Sequence, residues 1–134
     1  VANAVPDPRV EYRAEPAETP SLDAGSVDLA LVAQALHWFD HDRYFAACTR
    51  VLRPGGAFVA VAYGLLAVDP AVDRVIADFE HGVVGPYWPA ERRHVDAGYR
   101  TIAMPYAPVA APDFAMTRTW TLHELIAYLG TWSA

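Results

Sequence analysis

Lysine is absent from this chain of 134 residues: all ten basic residues are arginine. The simplest source of that bias is a GC-rich coding sequence. The arginines are scattered, Arg92-Arg93 is their one adjacent pair, and the formal charge is −6. No stripe able to track a phosphate backbone results, so nucleic acid is not expected as a partner. Cysteine is almost absent too. Cys48 stands alone, which excludes an intrachain disulfide and makes a reducing cytoplasm the expected compartment. No apolar run approaches the ~20 residues that span a bilayer, and Val1 to Arg9 has no apolar segment of the secretory type. No membrane partner is expected. The histidines His41, His81 and His123 lack metal-ligand spacing, so no metal is expected either. No Gly-x-Ser-x-Gly elbow and no pair of catalytic carboxylates stands out, and the catalytic residues stay unassigned. The chain opens on Val1 rather than Met, which suggests a fragment of a longer product or a processed chain.

What is present is globular in character, 54% hydrophobic and 19% charged, well away from the composition of disorder. Val10 to Arg13 alternates and reads as a short strand. Pro16, Pro20, Asp23 and Gly25 mark a loop. Val27 to Ala33 is nearly continuous apolar sequence, the pattern of a strand buried on both faces of a parallel sheet. Asp40 is placed to cap a helix on which Tyr44, Phe45, Cys48, Val51 and Leu52 repeat at helical spacing. Cys48 on that stripe reads as a small core residue. Arg53-Pro54-Gly55-Gly56 is read as the turn that stops the helix, and Ala57 to Tyr63 as a second buried strand. Strand, helix and strand make a βαβ unit with parallel strands. Asp69-Pro70 opens another helix with Val72, Val75, Ile76, Phe79 and Val83 inward. A long connection rich in aromatics and charge runs from Gly85 to Tyr99. Phe114 to Trp120 alternates and reads as an outer strand. Thr121 and Glu124 have capping-box spacing ahead of a last helix with Leu122, Leu125, Ile126 and Leu129 inward.

Three segments, Ala14-Glu15-Pro16-Ala17-Glu18, Ser26-Val27-Asp28-Leu29 and Gln34-Ala35-Leu36-His37-Trp38-Phe39-Asp40, followed by Arg50-Val51-Leu52-Arg53-Pro54-Gly55-Gly56, resemble the middle of class I S-adenosylmethionine-dependent methyltransferases. The run from Gln34 to Asp40 is similar to the type 11, trans-aconitate methyltransferase-like branch. The resemblance continues through Tyr63, Pro86-Tyr87-Trp88 and Glu91 to Asp96 to the final helix. It implies an α/β fold, a partial Rossmann-like parallel sheet with flanking helices. It also implies S-adenosylmethionine as cofactor, and methyl transfer to a small-molecule acceptor. Pro16, Ala17 and Glu18 would lie beside the adenine, and Gln34, Ala35 and His37 would border the methionine half. Trp38 and Tyr63 would line the substrate mouth, with Tyr87, Trp88, Arg92, Arg93, His94 and Tyr99 contributing to it. Arginines in such a mouth would suit a carboxylate-bearing acceptor. Each position has a plainer reading: helix-entry packing for His37-Trp38, a solvated loop for Glu18 and for Arg92 to His94, core closure for Tyr63.

The family's glycine-rich loop and the acidic residue that pairs with the ribose have no counterpart before Val10. Residues 1–134 are therefore expected to be a single truncated methyltransferase domain lacking the first two strands of the fold. One face and one edge of the sheet would then be uncovered. Each Val or Leu left bare forfeits roughly 1.5–3 kcal/mol, against a net stability of about 5–15 kcal/mol for a whole domain. A two-fold homodimer covering that face is the expected outcome. A second reading stays open: a non-catalytic dimeric remnant, or an interaction protein that binds another small molecule in the aromatic mouth.

Overall fold

The computed structural model describes residues 4–112 and 114–132. The chain divides into two compact units. The first comprises the chain up to Gly64 together with Arg93–Tyr106; the second comprises Leu65–Arg92 and the chain from Ala107 onward.

The first unit contains strand β1 (Val27–Ala33), helix α1 (His41–Val51) and strand β2 (Leu52–Val61). The strands pair in parallel, with Leu29 opposite Ala57, Leu31 opposite Val59 and Ala33 opposite Val61. Parallel pairing follows from the crossover, because α1 carries the chain back to the starting end of the sheet. Asp40 caps α1 as expected, its side chain accepting from the Arg43 backbone at 3.2 Å. The helix stops at Val51, but the chain does not turn out of the sheet at Arg53 to Gly56. Those residues open β2, with a register irregularity opposite Val27 to Leu29.

Two glycines make that approach possible. Gly55 has φ +78°, a left-handed conformation that costs side-chain-bearing residues energy. A Cβ on Gly56 would lie 3.0 Å from the Arg53 carbonyl oxygen and 3.2 Å from that of Asp28. The Arg53 guanidinium bonds the Asp28 carboxylate across the same irregularity.

Because side chains alternate along a strand, the two-stranded sheet has two distinct faces. Val32 on one face joins Tyr44, Phe45 and Cys48 of α1, with Leu36, Val95, Tyr99 and Ile102, in the core; Ala30, Phe58 and Ala60 pack against it. Phe45 and Phe58 meet edge to face at 5.6 Å, a favoured aromatic geometry. On the other face Leu29 is 50% exposed, Leu31 58%, Val59 37% and Val61 43%. The apolar pattern of both strands is therefore used on one side and bare on the other among the described residues.

The second unit is helical. Helix α2 (Pro70–Asp78) begins with Asp69 accepting from the backbone of Ala71 and Val72 and runs into a π-helical turn, Phe79–Val84. A 3-10 turn, Gly85–Tyr87, follows. The expected long connection also holds a short helix α3 (Arg92–Asp96), most of which belongs to the first unit. The last helix, α4 (Leu122–Leu129), has the reciprocal capping box of Thr121 and Glu124. The rings of Phe79, Trp88 and Tyr128 each meet that of Trp132, at 6.1 to 6.5 Å.

Several local expectations fail. Val10 to Arg13 and Phe114 to Trp120 form no strand. Alternation supplies two faces, but an extended segment also needs a ladder partner for its backbone groups, and neither segment pairs. Of the inward stripe on α2 and the following turn, only Ile76 is buried, and Val75 and Val83 are exposed. On α4, Leu122 and Ile126 are exposed. These apolar stripes have no sheet within their own unit to lie on.

Candidate functional site

In open α/β sheets, ligands gather where strands deliver the chain to loops at their C-terminal ends. Here β1 ends at Ala33, and the next residue, Gln34, has φ +51°. Left-handed backbone at a residue other than glycine is uncommon and concentrates at functional sites. Two hydrogen bonds hold Gln34 there. Its backbone N–H donates to the Val61 carbonyl at 2.9 Å. Its Nε2 donates to the Tyr63 carbonyl at 3.0 Å. With the amide orientation set by that bond, Oε1 is left buried without a hydrogen-bond partner among the described residues. A buried acceptor left open is costly, and it suits an incoming N–H or O–H donor.

The chain then passes Ala35 into a 3-10 turn, Leu36–Trp38. Leu36 is fully buried and anchors the turn in the core. His37 is buried, and its Nδ1 lies 3.2 Å from the Tyr99 hydroxyl. The Trp38 ring packs on His37 at 4.6 Å and remains exposed. His41 Nε2 lies 3.1 Å from the Leu36 carbonyl. A carbonyl only accepts, so that nitrogen carries a proton. Burial pushes the Tyr99 phenol up from its ordinary range, opposed by the backbone N–H groups of Leu36 and His37.

The other expected residues fall into three places. Glu18 accepts from the Asp40 backbone N–H at 3.2 Å, and Ala17 packs on the core beside it. Pro16 closes a small turn by accepting from the Thr19 backbone at 3.1 Å. This loop therefore reaches the entry of α1. Tyr63 is half-exposed and contributes its carbonyl to Gln34. His94 Nδ1 lies 2.7 Å from Thr101 Oγ1, its ring edge-on to His41 at 5.6 Å, and Arg93 is exposed. These positions all belong to the first unit.

Tyr87, Trp88 and Arg92 belong to the second. Tyr87 is exposed. The Arg92 guanidinium sits 4.6 Å over the Trp88 ring and 3.3 Å from the carboxylate of buried Glu80. Sequence reasoning missed Glu80. Its signal was a lone acidic residue within the apolar stretch Phe79 to Val84, twelve positions ahead of an arginine. Among the described residues no three His, Cys, Asp or Glu side chains are grouped to hold a metal ion, and no helix is long and apolar enough to cross a membrane.

Comparison with known proteins bears on this geometry. The model of a methyltransferase domain family matches residues 1–60. A protein of Dictyostelium discoideum assigned as a methyltransferase is 30% identical over 136 residues, covering 99% of this chain and 52% of its own length. An uncharacterized methyltransferase of Mycobacterium tuberculosis is 58% identical over 40 residues, 30% of this chain and 16% of that one. A solved structure from Anaeromyxobacter dehalogenans, described as a type II methyltransferase, superposes with a TM-score of 0.88 at 46% identity. It is matched over 98% of this chain and 56% of that one. The chain spans about half the length of the Dictyostelium protein and of the solved structure. The parallel strands, the crossover helix and the chain path at the end of β1 accord with these similarities, which support a class I S-adenosylmethionine-dependent methyltransferase. The fold is part of the Rossmann-like sheet of that family.

Proposed function

We propose that this chain contributes the methionine-side wall of an S-adenosylmethionine site and the adjoining mouth for a small-molecule methyl acceptor. The observation that carries the reading is Gln34: left-handed backbone at the end of β1, with a buried carboxamide oxygen that has no partner. The amino group of the cofactor's methionine end is a donor of the kind that oxygen fits. When bound, S-adenosylmethionine supplies a methyl group already activated by its sulfonium. The protein's part is alignment and exclusion of water more than proton transfer. Ala35 and His37 border the cofactor end. Trp38 and Tyr63, both exposed at the same strand ends, form the acceptor's rim. Pro16, Ala17 and Glu18, on the loop that meets α1, take the adenine side. Arg93, His94 and Tyr99 extend the mouth in the first unit. A trans-aconitate methyltransferase-like subtype, with a carboxylate-bearing acceptor, is the finer form of this reading. A reducing cytoplasm accords with Cys48, which is free and buried.

Calorimetric titration with S-adenosylhomocysteine tests the proposal. Binding at micromolar affinity is expected, and Gln34→Ala is expected to weaken it by about tenfold, the loss of one hydrogen bond to a charged donor. No heat at millimolar ligand removes the reading and leaves the non-catalytic alternative.

Self-association belongs to the same proposal and has its own observation. Leu29, Leu31, Val59 and Val61 form an exposed apolar face beside strand edges open to pairing. A second copy laid on that face by a two-fold axis would cover it, and a dimer is expected at micromolar concentration by size exclusion with light scattering. Leu31→Asp is expected to give a folded monomer; a monomeric parent chain overturns this part.

A further inference from the structure

Tyr99 occupies a conformation that its own side chain opposes. It has φ +58° and follows Gly98 at φ +57°, and a bulky residue in the left-handed region is an outlier that its surroundings must hold in place. The holding contacts are visible. The backbone N–H of Tyr99 donates to the His94 carbonyl at 2.7 Å, that of Gly98 to the Val95 carbonyl at 2.8 Å, and the Tyr99 ring is buried in the core of the first unit. The outcome of this geometry is one contact: the phenol hydroxyl reaches His37 Nδ1 at 3.2 Å, across 62 positions of sequence.

We infer that Tyr99 is a positioning residue that holds the His37 imidazole in the tautomer with its proton on Nε2. A phenol oxygen has one proton to give and lone pairs to accept with. Of the two possible directions, phenol to imidazole is the stronger, because a phenol O–H is far more acidic than a neutral imidazole N–H and the imidazole nitrogen is the more basic acceptor. The hydroxyl proton is then directed to Nδ1. A neutral imidazole that accepts at Nδ1 carries its hydrogen on Nε2. The turn is also gripped from the other side, where His41 Nε2 donates to the Leu36 carbonyl at 3.1 Å. Trp38, whose ring packs at a tilt of 46° against His37 at 4.6 Å, inherits the orientation of its neighbour. Tyr99 and His41 together therefore set the pose of the two aromatic side chains at the end of β1. The relevance of that pose to the cofactor rests on the reading in the preceding subsection; the tautomer does not.

The test is long-range nitrogen–proton NMR on the chain labelled with nitrogen-15 in its histidines. It is run near pH 8.5, where an ordinary imidazole of pKa about 6.5 is neutral, and His37 is assigned with His37→Gln. The expected spectrum shows Nδ1 unprotonated and Nε2 protonated, and Tyr99→Phe moves His37 to a mixture of tautomers. A parent spectrum with the proton on Nδ1, or a Tyr99→Phe spectrum identical to the parent, overturns the inference. Should Tyr99→Phe not fold, the parent spectrum alone decides. Tyr99→Phe is further expected to weaken S-adenosylhomocysteine by about three- to tenfold, the loss of one buried hydrogen bond. Silence of the parent chain toward that ligand would remove the cofactor reading while leaving the tautomer result standing.

Discussion

The two units of this chain are built from comparable apolar material and use it differently. In the first, a helix and two strands close on each other, and Val32, Leu36, Tyr44, Phe45, Cys48, Val95, Tyr99 and Ile102 share one buried cluster. In the second, Ile76 and Glu80 are the only buried residues among those described, and Val75, Val83, Leu122 and Ile126 stay exposed. The difference lies in what each stripe can lie on. An amphipathic helix gains stability from the surface it covers more than from its own propensity, and the first unit supplies a sheet for α1. The second holds its helices by end-capping and by aromatic rings gathered around Trp132. Packing against a sheet makes a core, whereas capping makes helices without one.

Substitutions can break this comparison. Phe45→Ala is expected to destabilise the first unit by about 3–5 kcal/mol, as for a large core ring removed. Ile76→Ala is expected to cost the second about 2 kcal/mol, the lower end for a buried aliphatic. Urea unfolding monitored separately by near-ultraviolet circular dichroism and hydrogen exchange reads both. Equal costs would show that the second unit is as tightly packed as the first.

Alkaline pH acts on the first unit next. Burial raises the Tyr44 phenol, reinforced by its bond to Cys48, and burial also raises the Cys48 thiol. Both groups ionise more readily unfolded, near about 10 and 8.5. The stability they contribute is therefore complete below about pH 8.5 and is lost as pH rises toward the folded values. The urea midpoint of the first unit is expected to fall across that range, and Tyr44→Phe to flatten the fall; a pH-independent midpoint counts against it.

The smallest effect belongs to the second unit. Thr121→Ala is expected to cost about 1 kcal/mol of α4, the usual worth of a cap, seen as faster hydrogen exchange in its first turn. The Thr121 backbone N–H and hydroxyl hold the Glu124 carboxyl below its ordinary range. The cap is thus present above about pH 4.3 and weakens as pH falls below it. Unchanged exchange in Thr121→Ala would mean that α4 is held by something other than its end.

The contrast also explains what the residues disclosed in advance. β1 was legible to the residue, Val27–Ala33, because a continuous apolar run next to a capped helix has few other uses. The caps at Asp40 and Thr121 were legible because a cap is a local device, made by a side chain within three positions of its partner. The strand expected at Phe114 to Trp120 was not there, since a strand is a relation between two segments and alternation describes only one. The start of β2 at Leu52 was hidden by Pro54-Gly55-Gly56, which spells a turn in most contexts. At the candidate site, Gln34, His37 and Trp38 were singled out through the resemblance of their run. The link from His37 to Tyr99 depends on a left-handed backbone at a tyrosine, which no spacing announces.

Gly55 and Gly56 are glycines for unlike reasons, and this bears on how the segment tolerates change. At Gly55 the demand is on backbone shape alone, and a residue content with positive φ, such as asparagine, can meet it. At Gly56 the backbone shape is ordinary, but the space is filled by main-chain oxygens of Arg53 and Asp28. Every side chain, alanine included, meets that crowding and needs the neighbouring backbone to yield slightly. Position 55 thus selects among amino acids by their torsional preference, and position 56 by whether the Arg53 and Asp28 backbone can give way by a few tenths of an ångström.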